Sequence, residues 1–148
     1  MRPSVKRSQK TTGELRVIGI DTNVLLRFLL ADDPEQFEAA KNFISKRSMD
    51  DPAFVSLVVV AEMAWVLKRS YRFTNKDVTK VLRQLLPSEQ FLFEDEDRLD
   101  AMIEDEMARN DDLSDQIIAY IAGRHGASHT VTFDQKAAKA ISGMELLT

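Results

Sequence analysis

The chain has 148 residues, 44% of them hydrophobic and 30% charged, a length that fits one domain with a proper buried core. It contains no cysteine, which excludes a disulfide framework, a thiol nucleophile and every cysteine-ligated metal site. Five of its 20 basic residues but only one of its 24 acidic residues fall in the first 16 positions, so the other 132 carry a net charge of −8, which argues against a general nucleic-acid binder working by phosphate neutralisation. An enzyme that reaches phosphates through cations stays open. The two histidines, His125 and His129, lack metal-ligand spacing, so any metal is expected to be a hard cation held by carboxylates. No apolar segment is long enough to span a bilayer, and the basic N-terminus lacks the apolar core of a signal peptide; a cytoplasmic protein with no membrane contact is expected.

Residues 1–16, rich in Ser, Thr, Lys and Arg without periodicity, read as a mobile basic arm ahead of a single domain over 17–148. Val17 to Ile20 is a β-branched run that stops on Asp21-Thr22-Asn23, followed at once by the helical pattern Val24, Leu25, Phe28, Leu29. This predicts a buried strand, a tight turn and a helix. Asp21 then stands where parallel sheets bind ligands, and equally where an aspartate caps a helix. Asp33-Pro34 opens a second helix with Phe37, Ala40, Phe43 and Ile44 on one face. Pro52 introduces a strand around Ala53 to Val55.

From Phe54 to Leu67 only Ser56 and Glu62 interrupt an apolar run, with Ser56 as N-cap of a helix from Leu57 to about Tyr71 that is expected to be buried on most sides. An ionised Glu62 among Val58, Val59, Val60, Met63, Trp65 and Val66 would cost several kcal/mol without a cation or strong donors. It is therefore a metal-ligand candidate, with an exposed stripe or a buried arginine partner as the alternatives. Trp65 is expected in the core. Thr74 caps a helix over Asn75 to Leu86, Gln90 to Glu94 forms a third strand, and Asp95 to Arg109 forms an acid-rich helix with Leu99, Met102, Ile103 and Met107 inward. The carboxylates at Glu94 to Asp97 and Glu104 to Glu106 read as a solvated face.

The turn-rich segment Asn110 to Asp115 leads into a helix ending at Arg124; with Ser114 as N-cap, Asp115 lies in its first turn. Ala127 to Phe133 then repeats the opening device, a β-branched strand ending on Asp134. A short helix from Gln135 and a last strand over Met144 to Leu147 close the chain. The alternation of strands and helices implies an α/β fold with a mostly parallel sheet. If Asp21, Glu62, Asp115 and Asp134 meet at one edge, their mutual repulsion demands protons or a divalent cation such as Mg²⁺ or Mn²⁺, the setting of metal-assisted phosphodiester cleavage.

The segments Ile20-Asp21-Thr22-Asn23-Val24-Leu25, Val59-Val60-Ala61-Glu62, Asp112-Leu113-Ser114-Asp115-Gln116-Ile117-Ile118-Ala119 and Thr130-Val131-Thr132-Phe133-Asp134 occur in an order that resembles a PIN-domain protein, and within that group the VapC-type toxins of bacterial toxin–antitoxin pairs. The resemblance covers Val17 to Thr148. It implies a three-layer α/β/α sandwich with a central sheet of about five strands, and an Mg²⁺- or Mn²⁺-dependent endoribonuclease leaving 5′-phosphate and 3′-hydroxyl ends. The family's acidic quartet would fall on Asp21, Glu62, Asp115 and Asp134 as catalytic and metal-binding residues, with Thr22 or Asn23 positioning the site and Thr132 close by. It also implies an RNA substrate, a cognate antitoxin docking over the acids, and a homodimer. A PIN-like binding or scaffold module with a silent site is the alternative. Gln116 and the long basic arm depart from the pattern. Arg27, Lys68, Arg69, Arg72, Lys136 and Lys139 are candidates for phosphate contacts.

Overall fold

A computed structural model describes residues 15–109 and 112–148. Short strands alternate with helices: β1 (Ile18–Gly19), α1 (Thr22–Leu30), α2 (Pro34–Ser45), β2 (Ala53–Val55), α3 (Leu57–Tyr71) and α4 (Asn75–Leu85) come first. β3 (Phe91–Phe93), α5 (Glu96–Arg109), α6 (Leu113–Arg124), β4 (Thr130–Thr132), α7 (Gln135–Ala140) and β5 (Met144–Leu146) follow. Of the basic arm only residues 15 and 16 fall within the described part. Asn110 and Asp111 lie outside it, as do the side chains of residues 105–109, Met107 among them.

Helix starts follow the local chemistry of their caps. Asp21, Asp33, Ser56, Thr74 and Asp134 each accept a hydrogen bond from a backbone N–H three residues on, satisfying a donor that has no partner within the helix. Thr74 and Asp77 bond reciprocally to each other's backbone N–H as a capping box. The start of α6 differs from expectation: Asp112, not Ser114, is the cap, accepting from the N–H groups of Ser114 and Asp115. The Ser114 hydroxyl is turned elsewhere, donating at 2.8 Å to the carbonyl of Ala61 on α3.

β1, β2 and β3 form a parallel sheet in that order, with Ile18 opposite Ala53 and Ala53 opposite Phe91. β4 and β5 form a separate parallel pair, Thr130 opposite Met144. The expected central sheet of about five strands is thus divided into three and two. The strand compositions account for this. β2 and β3 are apolar and bury Ala53, Val55, Phe91 and Phe93 on one side, whereas β4 is Thr-Val-Thr with Val131 52% exposed, so it gains little by entering a covered sheet. β1 likewise corrects the expectation of a buried strand: Val17 and Ile18 are exposed, β1 lying at the edge of the three-stranded sheet among the described residues.

The main core lies where α1, α3, α4, α5 and α6 close over β2 and β3. Leu25, Met63, Leu67, Leu82, Phe91, Leu99, Ile103, Leu113 and Ile117 are all essentially inaccessible there. α3 is the central post, packing against α1, α4 and α6. A small second cluster of Ala137, Ile141 and Met144 supports the β4–β5 pair. Among the described residues, no helix is long and apolar enough to cross a membrane.

Candidate active site

Each of the four singled-out acids stands at or near the start of a helix, except Glu62, which sits in the second turn of α3. Asp21 and Asp134 occupy equivalent places, each following a strand and capping a helix through Oδ1, with Val24 N–H and Ala137 N–H as donors at 3.1 Å. Thr132 adds to the second of these turns, its hydroxyl accepting from the Asp134 N–H at 3.0 Å. Both acids are exposed. Asp115 lies in the first turn of α6, half-buried against its neighbours.

Glu62 takes the exposed-stripe alternative that its sequence context left open. It is exposed, together with Val58 and Trp65, because α3 turns Leu57, Val60, Met63, Ala64 and Leu67 inward and leaves one stripe toward solvent. A run so uniformly apolar hides which face is covered. Trp65 is accordingly not a core residue but 53% exposed.

Two side-chain bonds join the helices that carry the acids. The buried Thr22, next to Asp21, donates its hydroxyl to Glu62 Oε1. Ser114, next to Asp115, donates to the carbonyl of Ala61, next to Glu62. α1, α3 and α6 are therefore tied together within one residue of three of the four acids. The fourth enters through its field: burial first, then the like charges of Asp112 and Asp134, hold the Asp115 carboxyl above its ordinary value, while Lys68 pulls the other way. Lys68 is itself bound to Asp112 at 2.6 Å, so this candidate phosphate contact is an internal partner of the site. Arg27 is similarly held by Asp32 at 2.6 Å, while Arg69, Arg72, Lys136 and Lys139 are exposed.

Sequence reasoning passed over Asp112 and the role of Ser114. The sequence Asp112 to Asp115 has the acid three residues after a cap residue that marks helix starts, and that spacing was the available signal. Asp21 also borders an open depression of about 680 Å³ lined by Ile18, Asn23, Arg27, Gln36 and Phe43.

The donor set is carboxylate and hydroxyl oxygen with no imidazole or thiolate, the chemistry of a hard divalent cation. Among the described residues no group of three or more acidic or histidine side chains is positioned to hold a metal ion. The acids are linked through their helices, not closed into one cage.

The raised carboxyl of Asp115 has a consequence for stability. Between the ordinary and the raised value the unfolded chain releases its proton first, so stability falls as pH rises through that window. Asp115→Asn is expected to raise the melting temperature near pH 7 by about 1–2 °C, the scale of a solvent-screened repulsion, with the gain vanishing below about pH 3. Thermal melts across that range check it. A variant that melts lower than the wild type at neutral pH would show that the carboxylate is not under strain from its neighbours.

Comparison with curated proteins finds no match. The family model of the PIN domain matches residues 18–142, a span that runs from β1 to the end of α7 and takes in Asp21, Glu62, Asp115 and Asp134. The chain therefore belongs to the PIN domain family, a superfamily of metal-dependent nucleases.

Proposed function

We propose that this chain is an endoribonuclease dependent on Mg²⁺ or Mn²⁺, the toxin of a toxin–antitoxin pair, whose residues from 17 onward form a single nuclease domain acting in the cytoplasm. The observation that carries this reading is the pair of ties flanking Glu62, Thr22 to Glu62 and Ser114 to Ala61, in a chain of the PIN family. They join the acid-bearing ends of α1 and α6 to adjacent residues of α3, Glu62 and Ala61. Asp21, Glu62, Asp115 and Asp134 would hold the cation. When bound, such a cation lowers the pKa of water and offsets charge building on a phosphodiester in its transition state.

The chain's own residues have separable tasks. Asp21 and Asp134 are fixed by their own helix starts, so their carboxylates meet the substrate side without searching rotamers. Thr22 holds Glu62 in one orientation by donating to Oε1. Asp115, already disfavoured as an anion, gains from a positive partner. An antitoxin would silence such a site by presenting an arginine to these carboxylates, where a charge-assisted bidentate pair competes with the cation. A homodimer completes the proposal.

Purified protein with millimolar Mn²⁺ is expected to cleave single-stranded RNA, and excess EDTA to stop it. Undiminished cleavage in EDTA would sink the mechanism. The open arrangement of the acids favours one second reading, a partner-binding module with a silent site. The two part company on metal binding: the nuclease reading expects Mn²⁺ to raise the melting temperature and Glu62→Gln to remove that rise, whereas a silent site shows no shift in either protein.

A further inference from the structure

Along α3, Val58, Glu62, Trp65 and Arg69 follow one another at spacings of four, three and four residues, which places them on one face of the helix. All four are exposed, Val58 by 67% and Trp65 by 53%. The Arg69 guanidinium lies over the Trp65 ring, 5.1 Å from its centroid. The face thus runs from a site carboxylate through a flat aromatic surface to a cation, and Arg72, also exposed, ends the helix beyond it.

We propose that Trp65 is a base-stacking platform for an unpaired stretch of RNA, seated one helical turn from Glu62 and steadied by Arg69. The inference rests on the nuclease reading for its choice of ligand. Trp65 is left about half in water beside the Arg69 guanidinium, and the charge order along the helix selects what it would meet. A nucleic-acid strand offers a π-face for Trp65 and phosphates for Arg69 and Arg72. Neighbouring Lys68 does not serve here, because its ammonium is committed to Asp112. Stacking on one exposed ring tolerates any base, so this platform positions the strand without dictating its sequence. Duplex RNA, with its bases paired and stacked, has no face to offer it.

Trp65 is the only tryptophan in the chain, so its fluorescence reports the contact directly. Titration with an oligouridylate of about 12 nucleotides in EDTA, where nothing is cleaved, is expected to quench that emission, and a duplex of the same length to leave it unchanged. Trp65→Ala is expected to weaken oligouridylate binding about 10-fold and to raise KM for cleavage similarly with little change in kcat. Trp65→Phe should recover most of the loss, which a structural defect at this position would not predict. Quenching without any cleavage by the Mn²⁺-loaded protein would sustain the platform while removing the nuclease reading. Cleavage with no quenching and an unchanged KM in Trp65→Ala would overturn the platform alone. Emission that changes with protein concentration in the absence of RNA would also overturn it, by assigning the face to a second copy of the chain.

Discussion

Asp21→Asn is expected to leave the fold at wild-type stability and to reduce RNA cleavage by at least about 100-fold, the scale on which removal of one electrostatic contact acts in an active site. The substitution separates two roles that one side chain can hold together. Asp21 caps α1 through Oδ1 and the Val24 N–H, a bond that an asparagine carbonyl makes as well as a carboxylate does. Stability should then change by no more than about 0.5 kcal/mol. Only the negative charge is lost. Asp21→Ala removes both functions and should cost about 1 kcal/mol in addition. The measurement is a pair of assays on each variant, a melting curve and RNA cleavage in Mn²⁺. Wild-type cleavage by the asparagine variant would reduce Asp21 to a helix cap and nothing more.

Phe91→Ala is expected to destabilise the protein by about 3–5 kcal/mol, a large part of the roughly 5–15 kcal/mol typical of a whole domain. Phe91 is 1% exposed on β3, with its ring centroid 6.0 Å from those of both Phe28 and Phe93. It joins α1 to the sheet, and a close-packed interior relaxes only partly into the space it would leave. With a urea m-value of about 2 kcal/mol/M, the midpoint should move down by roughly 2 M. Phe133, 79% exposed beside Asp134, provides the contrast. Its replacement by alanine should fall within about 0.5 kcal/mol of the wild type. Equal effects from the two would mean that the core is not where β3 meets α1.

What could be read from the sequence follows from how far each interaction reaches along the chain. Asp21, Ser56 and Thr74 were legible as caps because the cap and its N–H partner are three residues apart. The alternation of strand and helix, and the repetition of the Asp21 turn at Asp134, were legible for the same reason, and the motif order pointed to the PIN family that the comparison bears out. At α6 the expected cap was Ser114, and Asp112 takes that place. The choice fell to tertiary structure, which offered the Ser114 hydroxyl the carbonyl of Ala61, 53 residues away in sequence.

The sequence left open whether Glu62 is buried or on an exposed stripe and put Trp65 in the core, because the run from Phe54 to Leu67 is so apolar that little periodicity marks a solvent face. Packing of α3 against α1, α4 and α6 decided it, covering Met63 and Leu67 and leaving Val58, Glu62 and Trp65 outside. The division of the expected five-stranded sheet was decided in the same way, since pairing between distant strands depends on the apolar surface each brings, and Thr-Val-Thr brings little. The sequence by itself placed Asp21, Asp115 and Asp134 at helix starts; only the tertiary structure determined that Thr22 meets Glu62 and that the field of Asp134 reaches Asp115, because those contacts join residues that no local rule connects.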